Sequence, residues 1–554
     1  VEAREQAAES PAAPPPGERI TPNASQREAI DAVCAALGTF QGFLLDGVTG
    51  SGKTEVYLAA IERVLARGEQ AMVLIPEIGL TPQIVRRLGE RLGDCMAVMH
   101  SGLADRERLS AWVRARDGSA RVVVGTRSAV FAPLARPGLF VVDEEHDVSF
   151  KQQEGFRYSA RDLAVVRAHR HGVPVILGSA TPSLESLHNV ARGRYRRLVL
   201  SSRAEGAAPP RVEVIDLRGR PFDEGISLEL EGALADCLDA GNQALLFVNR
   251  RGFAPMLICH ACGWLAECER CDARMVYHSA SETLRCHHCA AERRAPTSCG
   301  ACAGTDLRTL GLGTQRVVER LRNRFPHARI DRVDRDSTRR KGAMESVLDA
   351  IHAQRTDILV GTQMLAKGHH FPNVTLVGIL DADGGLFSVD FRATERMAQL
   401  LLQVAGRAGR GRHPGRVLVQ THHPDHPLLE VLVRHGYASF GAAALAEREA
   451  AELPPFTALA LLRAESPQPE AALGFLRHAA EVARAAAVDQ VQILGPVPAP
   501  MERRAGRYRA QLLLQSAERA RLHALLGRCL AELEGSAGAR RVRWSVDVDP
   551  QELL

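Results

Sequence analysis

The stretch FLLDGVTGSGKT (43–54) decides the fold. A short apolar run, FLLD, is followed by Gly47-Val48-Thr49-Gly50-Ser51-Gly52-Lys53-Thr54, which matches GxxxxGK[ST]; a helical pattern, EVYLAAIERVLARG (55–68), comes next. Strand, glycine loop and helix in that order bring backbone N–H groups to a helix N-terminus. Phosphates can sit there, with Lys53 reaching the β- and γ-phosphates and the Thr54 hydroxyl ligating Mg²⁺. Outward from this point the alternation continues. Apolar runs at 71–76, 96–100, 121–126, 139–143 and 173–180 are separated by amphipathic segments. Continuously apolar strands alternating with helices predict a parallel sheet covered on both faces.

AEGAAPP (204–210) ends this first unit. A second α/β unit follows, with strands expected at 211–216, 243–249, 357–362, 375–380 and 415–421, and AELPPF (451–456) marks another boundary. The tail reads strand 457–464, helix 468–487, strand 490–494, strand 509–514, helix 517–533 and strand 541–548. That order, βαββαβ, predicts a ferredoxin-like split βαβ domain. The expected domains are a linker at 1–19, an ATP-binding unit at 20–205, a second unit at 206–258 and 305–440, a cysteine module at 259–304, and a C-terminal domain at 441–554.

Composition sets the limits. The 554 residues are 45% apolar and 24% charged, ordinary globular values. No run is long and apolar enough for a membrane helix, and the N-terminus has no basic-then-apolar export pattern, so a cytoplasmic protein is expected. The net charge of +5 is mild, but only four lysines (Lys53, Lys151, Lys341, Lys367) stand against 66 arginines. Lysine in such a chain falls where a compact ammonium is needed.

Eight of the twelve cysteines form four CxxC pairs: Cys259/Cys262, Cys268/Cys271, Cys286/Cys289 and Cys299/Cys302. Without an export signal, this density points to thiolate metal sites rather than disulfides. Two closed Cys₄ sites would hold two structural zinc ions, with iron–sulfur ligation as the alternative. Spacing alone allows nested or interleaved pairing. His260, His287 and His288 are left over and are expected to face solvent.

Asp143-Glu144-Glu145-His146 closes the run LFVV, where Asp143 would hold Mg²⁺ and Glu144 would orient or deprotonate an attacking water. Arg407 and Arg410, within QVAGRAGR (403–410), could supply positive charge to a γ-phosphate in the transition state. Behind DEEH, Phe150, Lys151, Phe156, Arg157 and Tyr158 interleave aromatics with cations. Such a loop could stack on bases and signal to Glu144, or could simply pack against the second unit.

TPNASQ with Gln26, the P-loop, Pro76-Glu77 with Leu80-Thr81, Gly125-Thr126-Arg127-Ser128, DEEH, Gly178-Ser179-Ala180-Thr181, Gly361-Thr362 with Lys367-Gly368, and QVAGRAGR follow the motif order of superfamily 2 helicases. With the cysteine insertion, FKQQEGFRYSARDLAV (150–165) and the closing VDVDP (546–550), the chain resembles the PriA-type primosomal, or replication-restart, helicases over residues 20–554.

The resemblance implies an α/β protein with two RecA-like parallel-sheet motor domains and a Cys₄×2 zinc module inserted in the second. Cysteine pairing would be nested, Cys268/Cys271 with Cys286/Cys289 inside Cys259/Cys262 with Cys299/Cys302. The function implied is ATP-dependent 3′→5′ DNA unwinding at stalled or abandoned forks to start primosome assembly. A duplex translocase, an RNA helicase and a non-enzymatic loading scaffold are the alternatives. ATP and Mg²⁺ would be held by Gln26, the loop 47–54, Asp143 and Glu144. DNA would meet Thr126, Arg127, Phe150, Lys151, Phe156, Arg157, Tyr158 and Lys367.

Implied partners are forked and single-stranded DNA, single-strand-binding protein, PriB- and DnaT-type primosome proteins and a replicative helicase loader. The protein would act as a nucleoid-associated monomer away from membranes. The family also carries an N-terminal 3′-end-binding domain and a winged helix. The chain begins at Val1 without either, so a fragment is expected. Phe150 and Phe156 stand where the family more often has Tyr and Trp.

Overall fold

The computed structural model describes residues 21–76, 82–201, 210–248, 256–270, 274–278, 281–286, 291–309, 313–334, 337, 343–362, 371, 373–387, 390–408 and 415–553. The chain divides into two compact units, residues 1–182 with 189–205, and residues 183–188 with 206–554.

Among the described residues, the first unit has seven strands: β1 (Gly42–Gly47), β2 (Gln70–Leu74), β3 (Met96–Met99), β4 (Val122–Gly125), β5 (Pro137–Asp143), β6 (Val175–Ser179) and β7 (Tyr195–Leu200). They pair in parallel in the order β3-β4-β2-β5-β6-β1-β7. Six of them are the apolar runs of the sequence. The seventh, YRRLVL, was not expected. It is an edge strand with solvent on one side, so its arginines break the apolar run by which buried strands are recognised. Helix α1 (Ala24–Ala35) precedes β1, and α2 (Lys53–Ala66) follows it; the α2 side chains Val56, Ile61 and Val64 pack with Phe43, Leu45, Val141 and Ile176 in one core.

In the second unit, β8 (Arg211–Asp216) is followed by a short hairpin of β9 (Phe222–Asp223) and β10 (Ile226–Ser227), then β11 (Gln243–Phe247). The cysteine module contributes β12 (Leu257–Cys259), β13 (Val276–His278), β14 (Thr283–Arg285), β15 (Glu292–Arg294) and β16 (Leu307–Thr309), arranged as a pair β12-β16 and a meander β13-β14-β15. The sheet resumes with β17 (Ile330–Val333), β18 (Ile358–Gly361), β19 (Val374–Ile379) and β20 (Arg416–Thr421), in the parallel order β17-β18-β11-β19-β20-β8. β17 also escaped the sequence reading, because IDRV sets two adjacent charged residues between its apolar ends at the sheet edge.

The tail forms β21 (Ala458–Ser466), β22 (Gln492–Arg504), β23 (Arg507–Ser516) and β24 (Arg543–Val548), with helices at Pro469–Ala485 and Arg519–Gly535. Its antiparallel order β22-β23-β21-β24 is the ferredoxin-like split βαβ topology expected. β22 runs ten residues beyond its expected end at 494, carried through irregular pairing at Gly495-Pro496 and again before Arg503.

One close approach fixes the first sheet. Gly178 in β6 pairs with Leu45 of β1 on one side and Asp143 of β5 on the other. A Cβ there would lie 1.6 Å from Tyr57 Oη of α2 and 2.8 Å from its Cζ. Gly178→Ala should therefore destabilise the first unit by about 2–3 kcal/mol, measured by chemical denaturation. In a Tyr57→Phe background, where the nearest atom is removed, the same substitution should cost clearly less.

Candidate functional site

The loop GVTGSGKT leaves β1 and runs directly into α2. Gly50 and Gly52 have φ of 83° and 82°, a region open to glycine at little cost, and α2 starts at Lys53. Gln26 sits beneath the loop. It forms a capping box with Asn23 at the start of α1, and its Nε2 donates to Ser51 O at 2.8 Å. A Cβ on Gly52 would lie 2.3 Å from that Nε2. Gln26 thus holds the loop in shape; its side-chain oxygen and nitrogen are both engaged by backbone. Lys53 Nζ donates to Gly47 O at 3.0 Å, across the mouth of the loop. Ser51 Oγ is buried without a hydrogen-bond partner, which a ligand oxygen would satisfy.

Two strands away, Asp143 ends β5. Tyr57 Oη donates to its Oδ1 at 3.0 Å, an interaction the sequence reading missed. Tyr57 lies one helical turn after Lys53, so it shares the lysine's face of α2. Burial, then the Glu144 charge, push the Asp143 carboxyl up to about 6, against the opposing pull of Lys53 and Tyr57. Glu144 has φ of 49°, in the left-handed region. Its Oε2 is buried with no hydrogen bond and lies 3.7 Å from His146 Nδ1. That same nitrogen is 2.7 Å from Ser179 Oγ, which accepts from Thr181 N at 2.9 Å. Glu145, fully buried, pairs with Arg161 at 3.2 Å. Two carboxylates, a lysine and a set of loop amides thus meet at the carboxyl ends of β1 and β5, a donor set that fits a divalent cation and a phosphate chain.

The loop after DEEH differs from expectation. Phe150 is 2% exposed and Lys151 is 6% exposed, so neither side chain can stack on or pair with a nucleic acid from where it sits. Asp147 caps the turn at Val148–Phe150, and that turn folds Phe150 inward. Thr126 is also buried. Arg127 Nη1 donates to Ser149 O at 2.9 Å and to Lys151 O at 3.1 Å, bracing this turn rather than facing outward. Phe156, at 76% exposed, does face solvent, and Tyr158 and Arg157 are half-buried. Phe131, 52% exposed and not singled out in the sequence, stands edge-on to Tyr158 at 4.8 Å; Phe156 stacks on the same ring at 5.8 Å. The exposed aromatic array is Phe131, Tyr158 and Phe156. Contacts that cross so much sequence leave no mark in a local pattern.

In the second unit Arg407 is buried at the end of the helix Ala393–Ala405; Arg410 and Lys367 lie outside the described residues, as do Glu77 and Thr81. The sulfurs of Cys259, Cys262, Cys299 and Cys302 all lie within 4.8 Å of one another. This is the outer set of the nested arrangement, and four convergent thiols suit a tetrahedral metal. Cys268 and Cys286 are buried in one small core with Leu257, Ala266, Met275 and Leu284, while Cys271 and Cys289 lie outside the described residues. His260 does not face solvent. It is 6% exposed and hydrogen-bonded on both ring nitrogens; His287 and His288 lie outside the described residues.

Four stretches of the chain match known families. Residues 23–190 match the DEAD/DEAH box helicase family and residues 308–412 the helicase conserved C-terminal domain. Residues 268–294 match the PriA DNA helicase Cys-rich region domain, and residues 449–551 the primosomal protein N C-terminal domain. The replication restart protein PriA of Haemophilus influenzae is 49% identical over 536 residues, 97% of this chain and 73% of that protein. Those of Bacillus subtilis and Treponema pallidum are each 41% identical, over 96% of this chain and over 66% and 80% of their own lengths.

The raised Asp143 carboxyl has a consequence for stability. Between the ordinary carboxylate range and about 6, the folded chain binds more protons at this group than the unfolded chain does. Stability therefore falls as pH rises through that window and stays lower above it. Asp143→Asn should raise the melting temperature by about 2–4 °C at pH 8, and the gain should vanish towards pH 4. Thermal melts at the two pH values check this.

Proposed function

The chain belongs to the PriA family of replication restart proteins, and on that premise we propose that it is an ATP-dependent DNA helicase. It moves 3′→5′ along one strand and remodels stalled or abandoned forks so that a primosome can assemble. The observation that carries the reading is the carboxyl end of the central strands of the first sheet. Lys53, Asp143 and Glu144 converge there, and two polar atoms of the site, Ser51 Oγ and Glu144 Oε2, are buried without a hydrogen-bond partner.

Thr54 and Asp143 would hold Mg²⁺, and the loop amides with Lys53 would hold the ATP phosphates; bound there, the ion supplies charge neutralisation for phosphoryl transfer. Lys53 exchanges Gly47 O for a phosphate oxygen. Glu144 Oε2, which makes no hydrogen bond, accepts the proton of the attacking water. His146 spans Glu144 and Ser179, and so links the acid pair to the Gly178–Thr181 segment. Arg127 ties the strand-facing turn Arg127–Phe131 to the backbone of the loop that leaves DEEH, so a strand lying on Phe131, Tyr158 and Phe156 would shift that loop as one piece. Arg407 and Arg410 supply charge to the transition state from the second motor unit.

The cysteine module holds two zinc ions and serves strand separation or partner docking. The C-terminal domain contacts DNA and single-strand-binding protein. PriB- and DnaT-type proteins and a helicase loader are the further partners, in the cytoplasm on the chromosome. Among the described residues, no helix is long and apolar enough to cross a membrane.

Lys53→Ala should reduce DNA-stimulated ATP hydrolysis at least ~100-fold and leave fork affinity within about twofold, because strand contacts are spread over many residues. Near wild-type hydrolysis in this variant would overturn the reading. Unwinding of DNA against RNA duplexes separates the DNA helicase from an RNA helicase. Metal analysis should find two zinc ions per chain, and Cys286→Ser should leave about one, since each closed Cys₄ site fails alone.

A further inference from the structure

His260 lies between Cys259 and Cys262, yet it is buried and its ring takes part in a hydrogen-bonded chain. Its Nε2 is 2.9 Å from Arg220 O, and its Nδ1 is 3.0 Å from His422 Nε2. His422 Nδ1 in turn is 2.8 Å from Asp383 Oδ2. Direction follows from what each atom can do. A carbonyl only accepts, so His260 Nε2 carries the hydrogen. One ring hydrogen lies between His260 Nδ1 and His422 Nε2 and joins the two imidazoles. On its other side His422 Nδ1 faces a carboxylate, which accepts.

Asp383 ends the chain. It also receives His422 N at 2.9 Å and the Thr421 hydroxyl, both at the carboxyl end of β20. The backbone closes the same junction, with Gly219 N donating to His260 O and His260 N to Asp306 O, each at 2.9 Å. Gly263 approaches so closely that a Cβ would lie 2.8 Å from His422 O. Phe222 covers the pair of imidazoles, with ring centres 4.9 Å and 5.9 Å away.

We infer that His260 is a positioning residue, joining the metal knuckle through His422 and Asp383 to the carboxyl edge of the second motor sheet, so that metal binding at Cys259, Cys262, Cys299 and Cys302 sets the geometry of that edge. The CxxC spacer is used as a strut. An imidazole suits this because it can donate along one axis and accept along another while its ring remains buried. The inference rests on the zinc reading of the four thiols.

The test is amide hydrogen exchange on the full chain, with zinc bound and after chelation. Removing zinc from the wild type should speed exchange at 383–384 and 421–423 at least ~10-fold, as local opening becomes easier. His260→Leu should show that faster exchange with zinc still bound, and chelation should add little. His260→Gln, whose Nε2 donates and whose Oε1 accepts, should stay within about threefold of wild type. His422→Leu breaks the middle link from outside the module and should match His260→Leu.

Wild-type exchange in a zinc-loaded His260→Leu protein overturns the strut. So does a wild type whose edge amides ignore chelation, or a His260→Gln protein that exchanges like His260→Leu. A wild-type chain that carries no zinc overturns the metal reading and the inference together, and metal analysis of the same sample identifies that case.

Discussion

A missing Cβ governs the nucleotide-facing edge of the first sheet. Gly178 lies in register between Leu45 and Asp143, and only a hydrogen at that position leaves room for the Tyr57 ring. Tyr57 comes from the first turn and a half of α2, the helix the glycine loop starts, and its hydroxyl ends on Asp143. Loop, helix and acid pair are therefore located by a single contact. Because Tyr57 is fully enclosed, its own proton is held tightly, the pKa being driven well above the ordinary value by burial and then by the Asp143 charge. The hydroxyl stays a donor and Asp143 stays fixed beside Lys53. A side chain one size larger at 178 would separate groups whose chemistry depends on tenths of an ångström.

Buried charge performs the comparable task in the second unit. Segment 183–188 belongs to that unit although the chain on either side of it belongs to the first. Glu395 Oε1 accepts from Leu184 N at 3.0 Å, Glu185 pairs with Arg392 at 2.5 Å, and Arg448 meets Glu395 Oε2 at 3.2 Å. Arg448 also donates to Pro454 O and Phe391 O, next to the start of the C-terminal domain. Two carboxylates and two guanidiniums, nearly all buried, balance in charge; removing any one would leave an uncompensated ion at a cost of about 3–5 kcal/mol. Such a cluster adds little net stability against apolar side chains of equal volume, but it permits one arrangement only. It joins the residues after Gly178–Thr181 to the helix that ends in QVAGRAGR and to the stem of the last domain.

What the residue pattern made legible was whatever depends on short spacing. The glycine loop, the acidic strand end, the CxxC pairs and the βαββαβ tail are all set by neighbours within one turn or one strand, and by a burial period that survives in one-dimensional order. Buried parallel strands announce themselves as apolar runs, which is why eleven of the thirteen described motor strands were in view, while two of the four edge strands, YRRLVL and IDRV, each interrupted by a pair of charged residues, were not. The match to the DEAD/DEAH family spans the glycine loop and the acidic strand end, and that to the PriA Cys-rich family spans Cys268, Cys271, Cys286 and Cys289.

Only the tertiary structure decided which way each side chain points. Phe150 and Phe156 are equal in the sequence, two aromatics in one loop, yet the Asp147-capped turn buries the first and leaves the second in water. Arg127 stands in a motif that suggests a phosphate contact, and its guanidinium is spent on two carbonyls of that turn. His260 looks like a solvated spacer between cysteines and is instead one link in a buried chain to Asp383, 123 positions later. The physical reason is common to all three. Spacing along the chain sets which face of an element a residue occupies, whereas its partners come from elements whose approach depends on the packing of the whole core.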